Sequence, residues 1–247
     1  MPTIILMLAA APASPLLAAT LLLWPVQPAF EPGESAAALW VENRGDEATW
    51  LQVRVFGWEQ RGGENRYHEQ QDVISSPPMM QIGPGERHLV RLMRHTSTPA
   101  GVESAWRIIL DEIPQRRETQ TGEQTRAGIN LQMRYSLPLF SYGEGLEPIT
   151  ADDPGASDGS QLSWRVVHEE GEALLEVANR GNRHVRLTAV EAVGPGGSVT
   201  VAEGLLGYVL PHSHQRWPLP TQAPIETLTA RINGQASTIV DRSDDAL

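Results

Sequence analysis

Residues 128–140 read GINLQMRYSLPLF. Ile129, Leu131, Met133, Tyr135 and Leu137 take the odd positions, and Asn130, Gln132, Arg134 and Ser136 the even ones. A period of two puts one set on one face of an extended chain, so the stretch predicts a β-strand with a single apolar face. Such a strand can cover the core of its own sandwich. It can also offer its apolar row to the unfinished core of another protein. The pattern serves both duties, and the neighbouring sequence has to separate them.

Immediately before it lies QRRETQTGEQTRAG, residues 115–128, too polar to be buried and long enough to be a functional loop. Before that, ESAWRIILDEIP (103–114) reads as a strand stopped by Pro114. Short alternating or apolar runs continue upstream: LLLWPV from Leu21, SAAALWVEN, TWLQVRVFGWEQ (49–60) and HLVRL from His88. They are divided by the turn sequences EPGE, NRGD and GPGE, while residues 61–72 are polar and read as a loop. Pro77-Pro78 forms a rigid bend, and either bond is open to the cis form. Beyond Phe140 the texture changes to SYGEGLEPITADDPGASDGSQ, rich in Gly, Pro, Ser and Asp, which predicts a boundary between domains. The second half repeats the rhythm with LSWRVV, ALLEVANR, HVRLTAVEAV, SVTVAE, LGYVLP, QRWPLP and TLTARI. Short strands at this spacing predict β-sandwiches, and no window carries helical spacing.

Composition narrows the function. The chain has 247 residues, 40% of them hydrophobic, enough for two cores. Nineteen cations, all Arg, stand against 30 acids, giving a net charge of −11. An acidic chain without a basic run excludes phosphate-backbone binding as the main task, so no nucleic-acid partner is expected. Cysteine is absent, which removes disulfides, thiolate nucleophiles and Cys–metal sites. MPTIILMLAAAPASPLLAA is apolar, rich in small residues and free of charged side chains. It reads as a secretory signal peptide over residues 1–19, although the n-region cation and a clean A-x-A site are missing. An uncleaved anchor over residues 4–24 is the alternative, opposed by Pro12 and Pro15. No later segment is apolar enough to span, so the mature chain is not expected to insert into a membrane.

No GxSxG, HExxH or P-loop pattern occurs. His212 and His214 could join His184 around a metal, but histidines in a proline-flanked turn read first as exposed loop residues. The carboxylate pairs Asp111/Glu112 and Asp244/Asp245 have no evident partner for acid–base work. The chain is therefore not expected to be an enzyme, and no cofactor or metal is expected.

Three blocks together resemble the periplasmic pilus-assembly chaperones of chaperone–usher systems, the PapD-like family. They are SSPPMMQIGPGERHLVRL (75–92), ESAWRIILDEIP (103–114) and GINLQMRYSLPLF after its polar loop, in the family's order and spacing. WPVQPAF and YSLPLFSYG resemble the archaic branch. The resemblance covers residues 20–142 well and the second half loosely. It implies an all-β chain of two immunoglobulin-like sandwiches at an angle, with a cleft between them. The domains would be residues 20–142 and 161–247, joined by a linker at 143–160 and preceded by the signal peptide. The location implied is the periplasm.

The implied function is capping of pilus or fimbrial subunits by donor-strand complementation and delivery to an outer-membrane usher. Such a subunit lacks its last strand, and its open apolar groove aggregates unless filled. Ile129, Leu131 and Met133 match the family's donor row, with Ala127 as a shallower contact, and residues 115–128 would order on binding. The better-known branch anchors the subunit's terminal carboxylate with two cleft cations, which here fall on the uncharged Gln27 and Pro138. Arg134, Arg91 and Arg94 are the candidates to replace them, because a guanidinium can donate two parallel hydrogen bonds to a carboxylate. Arg91 also matches a family arginine that pairs with an acid at the position of Glu103, so a structural Arg91–Glu103 pair is expected. The acid completing the family's interdomain network falls near Gly234, leaving that network incomplete. A rival reading is a structural or adhesive immunoglobulin-like pilus component, which would carry an N-terminal donor extension and one incomplete domain.

Overall fold

The computed structural model describes residues 21–114, 132–149, 161–239 and 241–242. The expected signal peptide, the linker residues 150–160, and Ile129 and Leu131 lie outside them. Among the described residues there is no α-helix, and every named element is a strand.

The first sandwich faces two sheets. One orders β1 (Leu21–Trp24), β3 (Ala36–Asn43), β8 (Arg87–Arg94) and β6 (Val73–Ser76). The other orders β2 (Ala29–Phe30), β10 (Arg134–Tyr142), β9 (Glu103–Ile113), β4 (Thr49–Arg61) and β5 (Glu64–His68), with β7 (Met79–Ile82) also on β4. Alternation decides the faces: Leu39 and Val41 of β3, Val90 and Leu92 of β8, and Ile108 and Leu110 of β9 are wholly buried in one core. In the second sandwich, β15 (Ser213–Pro218), β12 (Glu172–Asn179), β11 (Leu162–Glu169) and β18 (Asp241–Arg242) make one sheet. β14 (Gly197–Val209), β13 (Val185–Gly194), β16 (Thr227–Ile232) and β17 (Gln235–Ile239) make the other. Trp164, Leu175, Val177, Leu187 and Leu228 fill the core between them. Each sandwich thus closes a core of its own.

Two expectations fail locally. The polar stretch 61–72 contains a strand, β5, whose five residues are all exposed and which pairs with β4 from Gly57↔His68 to Arg61↔Glu64. Its polar residues join neither apolar core, holding to β4 through backbone pairing and contacts such as Trp58 Nε1–H to Asn65 Oδ1 at 2.8 Å, so it has no apolar alternation to read. SVTVAE and LGYVLP are not separate strands: β14 runs unbroken across both and absorbs the mismatch as register shifts against β13. Of the two proline bonds in the bend, Ser76-Pro77 is cis, as is Trp24-Pro25.

The β4–β5 hairpin also ties the two sandwiches together. At its tip the Gly63 carbonyl accepts from the Arg216 N–H at 3.1 Å, and Gly63 bridges Gln215 of β15 in parallel. Gly63 has φ +81°, and a Cβ there would sit 2.7 Å from the Arg216 side chain. Both demands exclude a branched residue. Gly63→Val is therefore expected to lower stability by about 1–3 kcal/mol in urea unfolding. An unchanged midpoint would show that the strap bears no weight.

Arg216 continues into an ion cluster across the second sandwich. The Glu176 carboxylate, 1% exposed, accepts from Arg165 Nε at 2.5 Å and Arg216 Nε at 2.6 Å, and Arg216 also pairs with Glu169. Burial pushes the Glu176 carboxyl up, but the hydrogen bonds and charges of Arg165 and Arg216 outweigh it and hold the group below the usual range. A folded-state pKa below the unfolded one gives stability that is present at neutral pH and lost as pH falls through the folded value. Acid titration should thus weaken the second sandwich below about pH 4, and Glu176→Gln should flatten that limb of the curve.

Candidate functional site

The first sandwich leaves one side unfinished. Over Arg134–Leu139, β10 pairs with β9 on one edge, while on the other β2 meets only Phe140 and Ser141. β1 pairs with β3 alone. Among the described residues the remaining edges of β10 and β1 carry no ladder, so their N–H and C=O groups form a template for another strand. The apolar row divides here between two duties. Leu137 and Leu139 lie in the sandwich's own core with Tyr135 packed against it. Met133 stands 43% exposed. The changeover falls where β10 begins.

Glu112 fixes the approach to that changeover. Its N–H donates to the Met133 carbonyl at 3.1 Å, and its Oε2 accepts from the Met133 N–H at 3.4 Å. Burial raises the Glu112 carboxyl above its ordinary value, partly offset by hydrogen bonds from the Met133 backbone and the Tyr135 hydroxyl. The same hydroxyl reaches the Leu21 backbone, so one phenol touches both open strands.

Where the sandwiches meet, Trp58, Phe140, Tyr142, Leu146, Tyr208 and Leu210 form a small buried cluster. Polar groups lock it. The Gln60 amide donates to the Tyr208 carbonyl and accepts from the Leu210 N–H, both at 2.8 Å. The Glu103 carboxylate accepts from the His184 backbone N–H at 3.0 and 3.1 Å and lies 2.9 Å from His184 Nδ1. His184 Nε2 lies 3.1 Å from the Gln27 amide nitrogen, an arrangement met by the Nδ1–H tautomer. Phe140 stacks on the imidazole, centroids 3.6 Å apart and planes 5° from parallel.

This geometry corrects the expected Arg91–Glu103 pair. Arg91 stands between the inward-facing Val90 and Leu92 and therefore points to solvent from the other sheet. Glu103 faces the second sandwich and spends its carboxylate on His184. Arg94 is not free to receive a ligand either. It is 8% exposed and donates to the Glu34 carbonyl, Thr98 Oγ1 and Ser141 Oγ. Arg134 is exposed but already paired with Asp111, which also takes Arg54 at 2.6 Å. The three expected anchor arginines are therefore not brought together. His184 is enclosed at the joint, while His212 and His214 lie by the turn into β15, and among the described residues no His/Asp/Glu group could hold a metal.

The missed residue is Arg107 of β9, whose guanidinium lies 4.1 Å over the Trp58 ring beside Tyr67 and Tyr208. Its signal was a charge in the middle of the apolar run WRIIL. His184, Gln60 and Tyr208 gave no comparable signal, because their partners lie far away in sequence.

The family described as "Pili and flagellar-assembly chaperone, PapD N-terminal domain" matches residues 27–147. Among solved structures, a chain of the CsuC–CsuE chaperone–tip adhesion subunit pre-assembly complex, from archaic chaperone-usher Csu pili of Acinetobacter baumannii, is 30% identical with a TM-score of 0.72. The match covers 92% of this chain and 100% of that one. The chain belongs to the PapD-like family of pilus-assembly chaperones. The E. coli chaperone DraB matches at 18% identity and TM-score 0.57, over 89% of the chaperone and 94% of DraB. A structure of Salmonella enterica SafA pilin in complex with the SafB chaperone matches at 19% identity and TM-score 0.61, over 91% of this chain and 95% of that one. These two establish the shared two-sandwich fold. Among curated proteins no relative matches by sequence. The chaperone's resemblance to the archaic branch rests on the Csu similarity.

Proposed function

We propose that the chaperone works in the periplasm, where it caps incomplete pilus subunits with the apolar row Ile129, Leu131 and Met133 and delivers them to an outer-membrane usher. The observation carrying this reading is the edge of β10 that, among the described residues, no strand pairs over Arg134–Leu139, reached through a residue, Met133, that leaves its apolar side chain in solvent. An incoming subunit strand gains main-chain hydrogen bonds along that edge, and its groove takes the row. Each such side chain contributes roughly 1.5–3 kcal/mol of burial before ordering costs. That is enough to hold a subunit and still permit exchange to a better-fitting strand. The domain limits 20–142 and 161–247 belong to the same reading.

A tagged chaperone recovered from periplasm should bring down a small fimbrial subunit. Recovery of the folded protein with no subunit, from cells that make the fibre, would overturn the proposal.

A further inference from the structure

An alternating apolar row is blind to a slip of two residues. A shift of one turns every side chain to the wrong face, but a shift of two returns the same face to the core. Ile129, Leu131, Met133, Tyr135, Leu137 and Leu139 form such a row without a polar break. Slid inward by two, Met133 would fill the place of Tyr135 and Leu131 that of Met133, leaving one apolar side chain fewer to lend. The backbone rungs re-form in either register. Something other than apolarity must fix the residue at which the row leaves the core.

The far end of β10 has its own pins, since Ser141 accepts from Arg94 and Phe140 stacks on His184. Pro138, which has no N–H, separates that end from the near one. At the near end the Arg134–Asp111 pair marks the register, but the Arg134 side chain is 66% exposed, and an exposed pair holds weakly.

Glu112 is placed to do more. It follows Ile108 and Leu110 on the inward face of β9, where an apolar residue would extend the core. The ladder with β10 runs to Arg134↔Asp111, so Glu112 comes opposite Met133. Its N–H donates to the Met133 carbonyl at 3.1 Å, as a regular rung would. The return bond is different: the Met133 N–H donates to the side chain, to Oε2 at 3.4 Å. The same carboxylate meets the Tyr135 hydroxyl, which also meets the Leu21 backbone of β1. One side chain thus grips the row on both sides of the changeover and ties it to β1. The acid sits there at a cost. Its register partner on β4 is the apolar Leu51, and its Oε1 is buried with no partner among the described residues.

We infer that Glu112 is a positioning residue for the lent row: its grip on Met133 and Tyr135 sets the register in which β10 leaves the core, and so how many apolar side chains project beyond it. The inference rests on the strand-lending reading above.

The chain contains no cysteine, so two spin labels can be placed uniquely on the full protein. One goes on Met133→Cys at the changeover. The other goes on Ala100→Cys, exposed at the far end of β10, where Pro99 and Ala100 lie against Gly143. Pulsed EPR should give one distance. Adding Glu112→Ala should produce a second population displaced by roughly 7 Å, the rise of two strand residues. Glu112→Gln keeps an acceptor for the Met133 N–H and should restore most of the single distance. Tyr135→Phe removes only the hydroxyl and should give a smaller second population; it carries the test if Glu112→Ala does not fold. In the unlabelled chain, affinity for the fimbrial subunit recovered from periplasm should fall by the factor by which the in-register fraction falls. A single unmoved distance in every folded variant, whether or not the thermal midpoint drops, would show an acid that serves stability alone and overturn the inference, leaving strand lending intact. Displaced distances in a chaperone whose unaltered form recovers no subunit would do the reverse, keeping the register assignment and removing strand lending.

Discussion

The double substitution Leu131→Asp, Met133→Asp is expected to abolish capture of pilus subunits while the chaperone itself stays folded. Two lost apolar burials are worth roughly 3–6 kcal/mol, or a factor of about a hundred to ten thousand in affinity. Two carboxylates pressed toward an apolar groove add a desolvation penalty in the same direction. The free protein should hardly notice at Met133, which is 43% exposed and outside the sandwich core. The measurements are recovery of the subunit from periplasm and the thermal midpoint of the purified variant. Undiminished recovery with an unchanged midpoint would remove the row from the function. Leu137→Asp is the contrasting control. That residue is 6% exposed in the chaperone's own core, so its replacement should lower the midpoint first.

Glu103→Ala is expected to uncouple the two sandwiches. The carboxylate and the His184 side chain are both 0% exposed, and the substitution strands a buried backbone N–H and an imidazole N–H at once. Breaking a buried, hydrogen-bonded pair by deleting one partner costs about 3–5 kcal/mol. Because Phe140 stacks on the same imidazole, the apolar joint loosens with it. Urea unfolding followed by tryptophan fluorescence should show an earlier transition with a reduced slope as the sandwiches cease to unfold together, and Trp58 at the joint should report the early phase. Glu103→Gln, which keeps one acceptor, should lose less. Arg91→Ala should stay within about 0.5 kcal/mol of the parent, because that side chain is exposed on the far sheet. If Arg91→Ala matched Glu103→Ala, the assignment of Glu103 to the interdomain joint would be wrong.

Local chemistry made much of the molecule readable in advance. The inward set of β3, β8 and β9 follows from alternation, since in each strand one face meets a core and the other does not. The turns at Gly33, Gly85 and Gly171 carry positive φ, where glycine avoids the Cβ clash. Strand β5 stayed hidden because it buries nothing, and β14 was split because its register shifts interrupt the alternation that marks a strand. The site was legible in the same measure. The apolar row and the polar stretch before it could be read from spacing, but the residue where the row passes from own core to open edge could not.

The amino-acid order alone established an all-β chain and an alternating apolar row following a polar loop. These depend on neighbours one to four positions apart, and such neighbours are written in the sequence. Only the packed molecule decided which charged groups are spoken for. Arg94 is consumed by Ser141 and Thr98, Glu103 by His184 rather than Arg91, and Arg107 is left facing a corner. The Arg94–Ser141 and Glu103–His184 contacts join residues 47 and 81 positions apart. A side chain's remaining hydrogen-bonding capacity is what is left after all its spatial neighbours have been satisfied, and no local pattern records that sum.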